Sequence, residues 1–187
     1  MKILCEVSVR HVHLSETHLK ELFGKDATLG VVKTISQPGQ YLSDKKIDLM
    51  GPKRTIERVS VLGPTRPDTQ VEISKSDCFT LGLKDIPIRG SGDLKGTPGM
   101  TIRAGDKTVD LDKGVIVIQR HVHIDPETAS KHGFSDGEVV SLKIDSERGG
   151  ILSGVVVRTG KGHFNAVHLD SDEGNALGVG SEAEIIR

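Results

Sequence analysis

The sequence predicts a mainly β chain: two related β-barrel halves, each capped by short α-helices, produced by internal duplication. Three observations carry that expectation. Arg-His-Val-His occurs twice, at 10–13 and 120–123, in a chain of 187 residues with only eight histidines. Each copy follows a Val/Ile-rich run and precedes the same signals in the same order: a helix cap, a short helical stretch and a glycine. With 22 glycines, one Tyr and no Trp, the core must be built from Val, Ile and Leu on short strands joined by tight turns.

Taken in chain order, "KILCEVSVRHVH" reads as one extended strand. Ile3, Cys5, Val7, Val9, His11 and His13 then share a face, because strand side chains repeat every second residue, and the histidines should continue the apolar, inward side. Ser15 suits an N-cap, Glu16 to Phe23 a helix, and Gly24 its stop. "ISQPGQYLSD" at 35–44 is turn-rich, and strands are expected at 56–62 and 69–74. The glycine-dense 89–100 is either a seam or a site loop. The halves are taken as 1–92 and 93–187, with strands free to exchange between them. "KGVIVIQRHVH" repeats the first strand, with Val115, Val117, Gln119, His121 and His123 on one face; Asp125 reads as N-cap, Pro126 as the first helical residue and Gly133 as the stop. Further strands are expected at 138–144, 151–158 and 164–169.

Composition narrows function. A net charge of -1 gives no general attraction to nucleic acid or acidic membranes. No apolar run approaches the ~20 residues of a spanning helix, and the start of the chain is too short for a signal peptide. Cys5 and Cys78 fit buried thiols in a reducing compartment. A cytoplasmic protein is expected. The sequence lacks GxxxxGK[ST], GxSxG, HExxH and a GxGxxG placed between strand and helix, which disfavours ATP hydrolysis, serine hydrolysis and hydride transfer.

Two histidines at i and i+2 on a strand project from one side, about 6.6–6.8 Å apart along the backbone, and can converge on one metal ion. Zinc takes about four ligands, so each pair needs more. Glu72 in "TQVEIS" and His168 in "NAVHLD" are ligand-type residues flanked by apolar neighbours, where burial without a partner is costly. His11, His13, Glu72, His121, His123 and His168 would therefore suit two neighbouring metals with open, catalytic positions. His18, His132 and His163 read as ordinary helix or loop residues. Arg66, in a rigid Thr-Arg-Pro loop leading to the Glu72 strand, can grip phosphate or carboxylate with two parallel hydrogen bonds. Arg10 and Arg120 alternate away from the histidine face and should fix neighbouring carboxylates or phosphates.

RHVHLS, SQPGQ, GPTRPDTQVEIS, SGD with PGM, RHVHI and VHLDSDEGNA occur in order from Val9 to Ala176. Together they resemble the PduL-type phosphate acyltransferases, also called phosphate propanoyltransferases. The resemblance implies two β-barrels capped by short helices and a dinuclear site with two Zn2+ per chain. It implies reversible conversion of acyl-CoA and phosphate into acyl phosphate and coenzyme A, with coenzyme A a substrate rather than a bound cofactor. It also implies His11, His13, Glu72, His121, His123 and His168 as zinc ligands and Arg66 as the phosphate-binding arginine. Small-molecule partners are thus expected, not nucleic acid or membrane; self-association into a homo-oligomer stays open.

Val9 stands where the family often has Asn, and Gln119 where it has a basic or small residue; neither is an expected ligand. Members packaged in bacterial microcompartments carry an N-terminal extension, and only eight or nine residues precede the first motif here, so a free cytosolic enzyme is expected, or one packaged another way. Lys and Arg in "GPKR" (51–54) are candidates to meet the phosphates of coenzyme A. The rival readings are a two-zinc hydrolase of a thioester or phosphoester, and a metal-stabilised binding module without catalysis.

Overall fold

The computed structural model describes residues 1–187. Strand accounts for 46% of residues and helix for 16%, so the chain is mainly β. Fifteen strands and four short helices follow one another as β1(Lys2–Ser8), β2(His11–Ser15), α1(Glu16–Phe23), β3(Val31–Thr34), β4(Tyr41–Met50), β5(Thr55–Arg66), β6(Gln70–Ile73), α2(Lys75–Leu81), β7(Ile88–Arg89), β8(Thr101–Ala104), β9(Lys107–Asp110), β10(Val115–Ile118), β11(His121–Ile124), α3(Pro126–His132), β12(Val139–Ile144), β13(Gly150–Thr159), β14(Ala166–Asp170), α4(Ser171–Leu177) and β15(Glu182–Ile186). None of the helices is long and apolar enough to cross a membrane.

The chain forms two compact units, Arg10–Ile118 and Met1–Val9 with Gln119–Arg187. The second is a closed barrel in the order β1-β14-β11-β13-β12-β15. The first is a nine-stranded sheet that runs β7-β10-β6-β2-β5-β4-β8-β9 with β3 alongside β4, and it does not close. The 92/93 seam expected from glycine density lies between β7 and β8, inside the larger unit. The strands preceding the two RHVH motifs are exchanged: β1 pairs with β14 and β15, whereas β10 pairs with β6 and β7.

That exchange corrects the reading of each RHVH run as one continuous strand. β1 ends at Ser8 and β2 begins at His11; β10 ends at Ile118 and β11 begins at His121. Each half of the run joins a different sheet, and side-chain parity inverts across the break. Ile3 and Cys5 lie in one hydrophobic core, yet it is Val12 and Leu14, not the histidines, that enter the other. Val122 and Ile124 do the same in the closed barrel. Both HxH pairs therefore lie on the face opposite their unit's main core, and Val7 and Val9, expected inside, are exposed.

The helices begin where the strands stop because a capping side chain waits at each junction. Ser15 Oγ accepts from His18 N at 3.2 Å. Ser74 and Asp77 form a reciprocal capping box on α2, and Asp170 and Glu173 another on α4. Asp125 accepts from Glu127 N and Thr128 N, with Pro126 in the first turn, and α3 ends on left-handed Gly133.

Candidate active site

Across the antiparallel pair β2/β6, His11 lies opposite Glu72. His11, His13 and Glu72 are all buried, and their potential ligand atoms lie within 4.8 Å of one another. His11 Nε2 is 3.4 Å from Glu72 Oε2, and His13 Nε2 is 3.8 Å from Oε1. The two imidazoles meet edge to face with centroids 5.1 Å apart. His13 Nδ1 makes no hydrogen bond of ordinary geometry; the Glu72 charge and the Leu62 backbone favour the charged ring, against burial and the charges of His11 and Arg66. Burial, then the His11 charge, pushes His13 down to about 3, so the ring is neutral and its lone pair available near pH 7. Burial alone would raise the Glu72 carboxyl, but His11, His13 and Ser91 together hold it below the usual carboxylate range. Two imidazoles and one carboxylate form a donor set that fits a divalent zinc ion with a position left open.

A hydroxyl network connects this triad to Arg66. Ser91 Oγ donates to Glu72 Oε1 at 2.9 Å and accepts from Arg66 Nη1 at 2.8 Å and Gln70 Nε2 at 2.9 Å. Gln70 Nε2 also donates to Glu72 Oε1, while its Oε1 accepts from Gly92 N at 2.8 Å. The serine thereby uses its one proton and both lone pairs. The glycine-rich segment around 89–93 is thus a site loop, pinned by buried Gln70.

The second set repeats the register. His121 lies opposite His168 across β11/β14, as His11 lies opposite Glu72. His121 and His123 have centroids 4.8 Å apart, and His168 is 5.2 Å from each. The Nδ1 of His121 lies 2.7 Å from the Gln119 carbonyl, which can only accept, so Nδ1 bears the proton and Nε2 is the nitrogen that could ligate a metal. Burial, then the charges of His121 and His168, hold His123 well below its ordinary value. Three imidazoles also fit zinc.

A family model for phosphate propanoyltransferase matches residues 4–180. The chain belongs to the phosphate propanoyltransferase family. It is 46% identical over 180 residues to the phosphate propanoyltransferase of Sebaldella termitidis, covering 96% of this chain and 85% of the relative. Identity to that of Alkaliphilus metalliredigens is 45% over 176 residues (94% and 82%), and to that of Clostridioides difficile 45% over 184 residues (97% and 88%). The family is one of acyl- and phosphate-handling transferases.

Within this phosphate propanoyltransferase fold, two arginines outside the triads have carboxylate partners. Arg10 contacts Asp77 through Nε at 2.8 Å and Nη2 at 2.7 Å, and Arg120 Nε contacts Glu173 at 2.7 Å. Both acids are the N3 residues of capping boxes. His18 Nδ1 is engaged with Thr69 Oγ1 at 2.8 Å, as befits a helix residue. His163 is different: expected to be an ordinary loop histidine, it lies stacked on His123. Gln70, which shares a strand face with Glu72, and the loop residue Ser91 join the site as well. The sequence carries one further signal of the site. HLS, EIS, HID and HLD recur at His13, Glu72, His123 and His168, each placing the ligand-type residue two positions before a helix N-cap.

Proposed function

We propose that the chain catalyses reversible transfer of a short acyl group, propanoyl or acetyl, between coenzyme A and inorganic phosphate. Two zinc ions per chain would serve it, one on His11, His13 and Glu72 and one on His121, His123 and His168. The observation that carries this reading is the Ser91 link between Arg66 and Glu72, which sets a phosphate-gripping guanidinium beside a metal-type triad. Bound zinc supplies Lewis-acid polarisation of carbonyl or phosphate oxygens.

Arg66 would hold phosphate through paired charge-assisted hydrogen bonds and orient one oxygen for attack on the thioester carbonyl. A C–O bond forms, the resulting oxyanion collapses, the C–S bond breaks, and coenzyme A leaves as the thiolate. Direct transfer is favoured over an acyl-cysteine. Burial, then Glu6, pushes the Cys5 thiol up to about 11, far from a nucleophile's range, and Cys78 is buried in α2. For coenzyme A, Lys53 Nζ sits 4.3 Å over the exposed Phe79 ring, a cation beside a flat apolar face of the kind a nucleotide uses.

The test measures thiol release from acetyl- and propanoyl-CoA with and without phosphate, together with zinc content. Phosphate-dependent release with two zinc ions per chain supports the reading. Release without phosphate indicates a hydrolase, and no release with metal bound indicates a binding module.

A further inference from the structure

The 160–165 loop leaves β13 after Thr159 and enters β14 at Ala166. Within it the His163 ring lies on His123 with centroids 4.2 Å apart and planes 22° apart. This is closer and flatter than the contacts of His123 with His121, at 4.8 Å and 41°, or with His168, at 5.2 Å and 63°. Three features build the placement. His163 Nδ1 lies 3.1 Å from the Arg158 carbonyl, which fixes the proton on Nδ1 and the tilt of the ring. Arg158 is the register partner of His123 across β11/β13, so the group that orients His163 sits on the strand beside its target. A Cβ on Gly160 would come within 2.9 Å of His163 Cε1, so the loop carries no side chain where the ring must lie.

His163 is not placed as another ligand of the ion that His123 would hold. It presents a ring face rather than a ring nitrogen to the His123 imidazole, and its Nδ1 is engaged with the Arg158 carbonyl. What a stacked face does is restrict rotation. The χ2 torsion of histidine is broad when nothing confines it, and face packing between offset rings narrows it.

We propose that His163 is a positioning residue for His123. Its ring fixes the His123 imidazole plane and so presets the His121–His123–His168 cluster for a metal ion, a role that rests on the metal reading of that cluster. The test is zinc titration of the metal-free full chain in competition with a chromophoric chelator, backed by the visible spectrum of the cobalt(II)-loaded protein. His163→Ala should leave affinity at the His11 triad unchanged and weaken the His121 triad by roughly 10–100-fold, the usual loss for an outer-shell partner. His163→Phe keeps a ring face and should stay close to wild type. His163→Asn keeps a donor for the Arg158 carbonyl without the ring, and should fall with Ala.

Wild-type affinity in the Ala variant overturns the inference, as does an Asn variant that binds normally while Phe does not. A wild-type chain that binds a single ion overturns the metal reading of the cluster, and this inference with it.

Discussion

His11 faces Glu72 across β2/β6 in the same register in which His121 faces His168 across β11/β14. Duplication has preserved a position while changing its chemistry from carboxylate to imidazole. One triad carries a formal negative charge when its histidines are neutral, and the other carries none. A divalent ion would keep a net charge of one at the first and two at the second, so the second should be the stronger electrophile.

Ligand loss should therefore be costly in both halves. His11→Ala and His121→Ala are each expected to lower zinc from two ions per chain towards one. Turnover should fall by more than the roughly 10–100-fold typical of an outer-shell change. Metal analysis and thiol release on the same preparations check this. A variant that keeps both ions and full activity would show the repeat to be ancestry without chemistry.

Arg66 and Ser91 should act on phosphate more than on the thioester. Arg66→Lys retains charge but loses the planar fork, and should raise KM for phosphate while sparing KM for acyl-CoA. Ser91→Ala removes a hydroxyl that serves two charged groups, with an expected loss of about 1.5–3 kcal/mol in phosphate kcat/KM, or roughly 10–100-fold. Steady-state kinetics with each substrate varied separates the effects. An equal rise in both KM values would mean the network only supports the fold.

The arginine of each RHVH motif has a structural task. Arg10 meets a nearly fully buried Asp77, so Arg10→Ala strips a charge partner from a carboxylate inside the protein. A cost of about 1–3 kcal/mol in unfolding free energy is expected, with zinc content unchanged. Arg120→Ala should follow through Glu173, which burial already pushes up. Denaturant melts of the two variants check this; loss of zinc at unchanged stability would instead place the arginines at the metal sites.

Much of this was legible in the sequence for local reasons. Ser15, Asp125, Pro126 and Gly133 announce helix ends through their own backbone preferences, and α1 and α3 stand where those residues set them. The ligand-type residues stood out because a charge or imidazole among Val, Ile and Leu needs a partner. The exchange of β1 and β10 was not legible, because alternation continues across Val9–Arg10 and Gln119–Arg120 while pairing partners change, and pairing is non-local. Ser91 and His163 escaped for the same reason. Each sits in an irregular loop whose value lies in a contact, Ser91 with Glu72 and His163 with His123, and no period marks it.

Acid should destabilise the metal-free protein well before ordinary carboxylates titrate. His13 falls from an unfolded value of about 6.5 to about 3 in the folded chain, with burial the larger cause and the His11 charge the next. Between those values the unfolded chain binds a proton that the folded chain refuses, so stability rises with pH across the window and is lost as pH falls through it. His123, also held low, adds in the same direction. Glu72, held below its usual range, adds a further loss once pH drops under about 4.3. Each such group contributes up to about 1.4 kcal/mol per pH unit. Thermal melts in chelator should therefore drop steadily from pH 6.5 to 4.5, with His13→Gln flattening the slope. Added zinc should raise the melting temperature most near neutral pH, where the histidines are free of protons. A chelated wild-type melt that stays level down to pH 5 would show that His13 gains a proton in the folded state, and with it that the triad is not preset to receive a metal.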